Sequence, residues 1–167
     1  MESIIYDLRF FQRGRTWSEC LESWDHQREV FLRRVNHAQA LQGTYRKLRA
    51  QPAGDRLAVF FNPCHIDCFL ALPYLGATLA KVSHLECRFF DSRIFFSRLH
   101  GLGRKMPLIQ ILDETGIIKK YWGPRPEGLN LEWQQQQGSG QEKDAWLLAY
   151  NRVAYVNQLD QSLVEFF

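Results

Sequence analysis

The chain has 167 residues, of which 46% are hydrophobic and 23% are charged. This is enough apolar sequence for one domain with a buried core, and it excludes disordered, collagen-like and purely coiled-coil proteins. The formal net charge of +3 is too small to indicate a nucleic-acid partner. The apolar runs fall far short of the roughly 20 residues of a membrane span, and the N-terminus lacks the pattern of an export signal. We therefore expect a cytoplasmic protein with neither nucleic-acid nor membrane partners.

The first 50 residues predict a helical extension, residues 1–50, ahead of the core. Thr16 followed by Glu19 is the pattern of a capping box, in which the two side chains satisfy backbone N–H groups at a helix start. Apolar side chains then recur at three- and four-residue steps, as on one helix face: Trp17, Leu21, Trp24, Phe31, Val35 and Ala38. Gly43 is expected to end or kink this helix, and Thr44 to cap a shorter one.

Strands and helices alternate between residues 55 and 130. The predicted elements are a buried strand over 56–61, a helix from about Cys64, a strand over 84–90, a short helix around 94–99, and strands over 107–112 and 117–122. The last two strands are joined by the hairpin signal at 113–116. This order predicts an α/β domain with a mixed central sheet flanked by helices.

The C-terminal part begins with a polar run over 134–140, which we interpret as a mobile loop. A final helix is predicted over residues 141–167. Its inward face is expected to carry Trp146, Tyr150, Val153 and Val156.

The core resembles thioredoxin-like proteins, and in particular a bacterial branch of that family. The matching pieces, in order, are Ile66-Asp67-Cys68, Leu72-Pro73, Met106-Pro107-Leu108-Ile109, Leu112-Asp113-Glu114-Thr115-Gly116 and Tyr121-Trp122-Gly123-Pro124-Arg125-Pro126. The resemblance implies a thioredoxin-like fold, thiol-disulfide chemistry without a bound cofactor, and a protein or small-molecule thiol or disulfide as substrate. It also implies that Pro107 is a cis proline beside the active cysteines and that Met106 contacts substrate.

The active-site motif departs from the family's Cys-x-x-Cys, because three residues separate Cys64 from Cys68. Counting back from Pro73 without a gap places Cys68 at the resolving position and His65 at the position of the nucleophile. If instead the loop has one extra residue, Cys64 becomes the attacking cysteine, free to reach Cys68 from just before the helix. A thiol at a helix start is activated by the positive end of the helix dipole.

Two functions follow from these alternatives. The first is thiol-disulfide exchange through Cys64 and Cys68, with His65 beside the nucleophile as a stabilising cation or base. The second is a non-catalytic binding module that uses the groove beside Pro107. A metal site at Cys64, His65 and Cys68 is a weaker interpretation, because adjacent residues rarely bind the same ion, and we expect no metal.

Overall fold

The computed structural model describes residues 7–95 and 105–167. Within them, a mixed sheet contains four strands: β1 (Arg56–Phe61), β2 (Glu86–Asp91), β3 (Leu108–Leu112) and β4 (Ile118–Trp122). The strand order is β2-β1-β3-β4. β1 and β2 are parallel, whereas β3 runs antiparallel to both β1 and β4. The expected mixed α/β architecture is therefore confirmed.

Helices precede, connect and follow these strands. Those in the described part of the chain are α1 (Leu8–Gln12), α2 (Trp17–Ser23), α3 (Arg28–His37), α4 (Gln42–Arg49), α5 (Ile66–Leu79), α6 (Ser92–Phe95), α7 (Glu127–Gln135), α8 (Gly140–Ala149) and α9 (Arg152–Phe166). None of the helices in the described ranges is both long and apolar enough to cross a membrane.

Helix α5 is the centre of the core. It links the parallel strands β1 and β2, and 12 of its 14 residues are buried. Its sequence is rich in Leu and Ala, which favour helix and carry no polar atoms that would need partners inside the protein. Burying each large apolar side chain contributes about 1.5–3 kcal/mol. Helices α3, α4 and α8 pack against α5 for this reason.

A series of stacked aromatic rings joins the N-terminal helices to the core. Trp24 stacks on Phe31 with ring centroids 3.6 Å apart, and on Phe61 of β1 at 5.7 Å. Phe31 in turn lies 5.8 Å from the ring of Phe69 in α5. The apolar stripe predicted from sequence thus packs into the core, although not from one continuous helix.

The N-terminal stripe is divided between two helices. The capping box of Thr16 and Glu19 is confirmed at the start of α2. However, α2 ends at Ser23, and Gln27 just before α3 has a left-handed φ of 45°. The Arg28 guanidinium donates hydrogen bonds to three carbonyls at the end of α2, those of Leu21, Glu22 and Trp24. The prediction of one continuous helix from Trp17 to Ala38 was wrong, because the Arg28 side chain satisfies the carbonyl groups that are left unpaired where α2 ends.

Gly43 neither ends nor kinks a helix, and Thr44 does not cap one. Both lie inside α4, where a carboxylate from α9 satisfies their backbone N–H groups. Asp160 accepts from Gly43 N at 3.0 Å and from Thr44 N at 2.7 Å. Gly43 permits this approach, since a Cβ there would lie 2.7 Å from Val164 and 3.0 Å from Asp160. These predictions failed because the cap comes from a residue more than 100 positions away.

The C-terminal predictions also need correction. Residues 134 and 135 of the polar run belong to α7, a helix that the sequence analysis missed, and Ser139 caps α8 with Glu142. The single final helix is broken at Asn151, whose side chain accepts hydrogen bonds at the start of α9. Val153 does not face inward; it is 69% exposed.

The core strands agree with the sequence analysis. β1 spans the predicted residues, and β3 and β4 form the predicted hairpin. The helix predicted around 94–99 corresponds to α6, but its last predicted residues lie outside the described part of the chain.

Substituting Gly76 by alanine tests the packing of α5. A Cβ at Gly76 would overlap the ring of Trp17, so α2 or α5 would have to move. We expect Gly76→Ala to lower the free energy of unfolding by about 1–3 kcal/mol, measured by urea denaturation. Gly140→Ala is the matched control, since nothing lies within 4 Å of its added Cβ. Equal stability of the two variants would contradict the packing described above.

Candidate functional site

A tight turn leads from β1 into α5. His65 N donates to Asn62 O at 3.0 Å, and Cys64 N donates to the Asn62 side chain at 2.9 Å. His65 is the N-cap of α5, with an extended backbone and no hydrogen bond from its own side chain to the helix. The turn therefore fixes which residues of the cysteine motif belong to the helix.

The two cysteines of the motif lie in opposite environments. Cys64 precedes the N-cap and its side chain is exposed, whereas Cys68 lies in the first helical turn and is fully buried. Cys68 Sγ accepts a hydrogen bond from Asn62 N at 3.4 Å. Burial nevertheless raises the pKa of Cys68 well above its usual range, because a thiolate there would lose its hydration. Both cysteines are free thiols.

His65 lies three residues before Cys68, at the helix boundary. In the register counted back from Pro73, His65 takes the position of the nucleophile; in the structure it is the N-cap of α5. Burial lowers the pKa of the half-buried imidazole, although the Met106 backbone and Asp144 favour the charged form. The neutral ring is thus favoured near neutral pH.

The segment before β3 closes the other side of the site. The Met106–Pro107 peptide bond is cis, as expected for Pro107. A cavity of about 240 Å³ separates this segment from the start of α5. It is lined by Cys64, His65, Ile66, Asp67, Lys105, Met106, Pro124, Arg125, Asn130, Trp133 and Asp144. Of the predicted site residues, the structure thus brings together Cys64, His65 and Met106, while Cys68 and Pro107 are buried outside the lining.

Gly123 brings a second loop against the segment at Pro107. Its φ is 133°, which favours glycine, and a Cβ there would overlap the carbonyl oxygen of Pro107. This close approach places Arg125, two residues further along the chain, at the cavity wall.

Asp67 and Arg125 form a buried ion pair beneath the cavity. Arg125 Nη2 donates to Asp67 Oδ2 at 2.5 Å, and each side chain is only 8% exposed. Burial raises the pKa of Asp67 to about 6, even though Arg125 favours the carboxylate. Asp67 Oδ1 and the Nε and Nη1 atoms of Arg125 have no hydrogen-bond partner in the described residues. Such unpaired buried atoms are costly, so the pair is not explained by stability alone.

The sequence analysis missed the residues around this pair. Trp133 lies on the unpredicted helix α7, and its ring packs 4.3 Å from the Arg125 guanidinium and 5.0 Å from Lys143 Nζ. Arg125 had appeared only as part of the Trp-Gly-Pro-Arg-Pro motif, without a role. The sequence offered one signal for this ion pair: Asp67 lies within the cysteine motif, and Arg125 lies within the Trp-Gly-Pro-Arg-Pro motif.

The other cysteines are separate from the cavity. Cys20 is buried in α2, and burial raises its pKa to about 12. Cys87 is half-buried on β2. Within residues 7–95 and 105–167, no group of three or more His, Cys, Asp or Glu side chains is placed to hold a metal ion.

Comparisons with known proteins identify the fold but no function. No protein-family model matches the chain, and no curated protein matches it. A crystal structure of a Pseudomonas aeruginosa protein of unknown function is similar, with a TM-score of 0.65, 16% identity and 93% of each chain covered. An HIV epitope scaffold aligns with a TM-score of 0.44 and 17% identity, over 90% of this chain and 98% of its own. The chain therefore shares its mixed α/β fold with a solved protein.

The raised pKa of Asp67 predicts an unusual pH dependence of stability. A carboxyl whose pKa rises from 3.8 to about 6 on folding binds protons preferentially in the folded state. Its contribution therefore disfavours folding increasingly as the pH rises from 3.8 to about 6. Relative to Asp67→Asn, the free energy of unfolding of the wild type should fall by on the order of 2–3 kcal/mol across this pH window. Urea denaturation at several pH values measures the difference.

Glu114→Gln is the control for this experiment, because it removes an exposed carboxylate on the turn between β3 and β4, outside this cavity. A constant stability difference between wild type and Asp67→Asn from pH 4 to pH 6 would contradict the raised pKa.

Proposed function

We propose that this protein is a thioredoxin-like binding module that holds an extended peptide segment of a partner protein in the cavity beside Met106 and Pro107. The observation that carries the proposal is the cavity itself: it joins the start of α5 to the segment before β3, yet excludes the buried Cys68. A cavity that Cys64 lines and Cys68 does not reach supports a binding role over a role for a pair of accessible cysteines.

The sheet supports the thioredoxin-like part of the proposal. Its order is β2-β1-β3-β4, with β3 antiparallel to its neighbours and α5 crossing between parallel β1 and β2. The family resemblance also implies that the start of this helix faces the segment that contains Pro107. The Pseudomonas aeruginosa protein has a similar fold and adds no activity.

The polar wall of the cavity suits a peptide backbone. An extended chain needs partners for its N–H and C=O groups, because unpaired groups are costly once water is displaced. His65 and Lys105 are polar members of the lining, and Asp67 and Arg125 have atoms without partners. Ile66 adds apolar surface for a side chain, whereas Met106, only 2% exposed, forms part of the wall behind it.

The environment of Cys68 argues against catalysis as the main role. An attacking or resolving cysteine must be reached by another sulfur and must form a thiolate. Cys68 is fully buried, and its pKa is raised well above the usual range. In the register counted back from Pro73 without a gap, the position of the nucleophile is held by His65, the N-cap of α5.

Thiol-disulfide exchange is the second candidate, favoured by the exposed Cys64 on the same cavity as Met106. In that reaction the Cys64 thiolate attacks a substrate disulfide, forming a mixed disulfide and releasing one substrate thiolate. The Cys68 thiolate then attacks Cys64 Sγ, which releases the second thiolate and leaves a Cys64–Cys68 disulfide. Two electrons pass to the substrate, and a dithiol reductant must restore the protein.

Thiol chemistry separates the two candidates. For a binding module, we expect a maleimide to label Cys64 rapidly in the native protein and Cys68 only after denaturation. Reduction of a protein disulfide by dithiol should be no faster with wild type than with Cys64→Ser. Peptide mass spectrometry measures the labelling, and the turbidity of the reduced protein substrate measures the reduction rate. Cys20→Ser is the control, since Cys20 is buried outside the cavity.

A Cys64–Cys68 disulfide would appear as a peptide whose mass is lower by two hydrogens. If this disulfide forms and Cys64→Ser abolishes disulfide reduction, exchange is supported and the binding-module proposal is overturned.

Peptide binding tests the proposal directly. Wild type and Cys64→Ser should both bind peptides on an array of unstructured sequences, because the shape of the cavity does not depend on this thiol. A bulky group attached to Cys64 through a disulfide should weaken that binding at least tenfold, and reduction should restore it, since the side chain lies on the cavity wall. The same reagent should leave Cys64→Ser unaffected. Binding that survives the attached group would place the peptide site elsewhere.

A further inference from the structure

A second cavity, of about 240 Å³, lies among α3, α5 and α9, and its lining contains no carboxylate. The lining residues are Val30, Arg33, Arg34, His37, Tyr74 and Arg152. None of them lines the cavity beside Met106. Three arginines therefore line one space that the proposed peptide site does not use.

The arginine cluster is defined as Arg33, Arg34 and Arg152, and contacts within the protein position two of its members. Arg152 Nε donates to the hydroxyl of buried Tyr74 at 2.8 Å, and Arg152 Nη2 donates to the His37 carbonyl at 3.4 Å. The guanidinium of Arg34 packs over the ring of Phe69, 5.2 Å from its centroid. Two of the three groups are thus positioned before any ligand arrives, which reduces the entropy cost of binding.

The arginine cluster carries positive charge that no carboxylate in the described residues pairs with. Arg34 Nε is buried without a hydrogen-bond partner. Burial lowers the pKa of Arg34, and the charge of Arg152 acts in the same direction, while Tyr74 and Tyr155 oppose it. An anion bound between these groups would relieve their repulsion.

An adjoining cavity extends the space towards apolar side chains. It measures about 380 Å³ and shares His37, Tyr74 and Arg152 with the first. Its other lining residues include Ala40, Leu41, Val153 and Val156. Its carboxylate, Asp160, is already engaged by Gly43 N, Thr44 N and the Thr44 hydroxyl. A ligand with an anionic head and an apolar body matches the two cavities together.

We propose that these two cavities bind a small organic phosphate monoester, with the phosphate among Arg33, Arg34 and Arg152 and its organic group against Leu41 and Val156. A phosphate monoester carries nearly two negative charges and three terminal oxygens, so it can accept from several guanidinium groups at once. A carboxylate has one charge and two oxygens, and would leave more of the cluster unpaired. This site is independent of the peptide cavity.

Calorimetric titration with inorganic phosphate and with phenyl phosphate tests the site. Wild type should bind both, and phenyl phosphate more tightly because its ring reaches the apolar cavity. Arg34→Gln should weaken phenyl phosphate binding about tenfold, as expected for loss of one charge-assisted contact. Arg33→Gln should act in the same direction, and it provides a variant at an exposed residue for which folding is not at risk. Circular dichroism confirms folding of each variant.

Arg46→Gln is the matched control, since it removes one positive charge from an exposed position on α4 outside both cavities. Its effect should stay below about twofold. Equal losses in the Arg34, Arg33 and Arg46 variants would mean general attraction by net charge, and would overturn the proposal. Benzoate binding as tightly as phenyl phosphate, or no binding of phenyl phosphate by wild type, would also overturn it. The peptide-array result does not depend on any of these outcomes.

Discussion

The burial of α5 on nearly all sides is the constraint on which the rest of the structure depends. Helix α5 has apolar residues around most of its circumference, so the sheet can cover only part of it. Other helices must enclose what remains, and the N-terminal and C-terminal segments supply them. The extensions at both ends of the chain are therefore part of the same core, and both of the proposed sites lie where their helices meet α5.

The start of α5 combines stability and recognition in one place. The hydrophobic environment that covers Cys68 also buries Asp67, and the carboxylate finds its partner in Arg125, on a loop that Gly123 holds against Pro107. A buried ion pair with unpaired atoms contributes little net stability, since desolvation offsets the attraction. The pair lies beside a cavity and fits the proposed role in holding a ligand, whereas the neighbouring Cys68 thiol is fully buried.

Local patterns predicted those elements whose causes are local. The apolar run of β1, the hairpin between β3 and β4, and the capping box at Thr16 depend on nearest neighbours in sequence, and all three are confirmed. The helix breaks were missed because distant or unrecognised side chains satisfy the backbone there. Asp160 caps α4 from α9, and Arg28 closes the end of α2. The sequence analysis could not weigh such partners, since their proximity is created by folding.

The same division applies to function. The sequence by itself indicated that thiols and an imidazole lie at the start of one helix, and the family resemblance implied that Pro107 lies beside them. Only the tertiary structure decided that Cys64 is exposed and Cys68 buried, that His65 is the N-cap, and that Arg125 pairs with Asp67. It also gathered Arg33, Arg34 and Arg152 around a cavity, from two helices more than 100 residues apart. Residue type fixes which chemistry a side chain can perform, but burial and proximity, which arise from packing, decide which groups can reach a ligand.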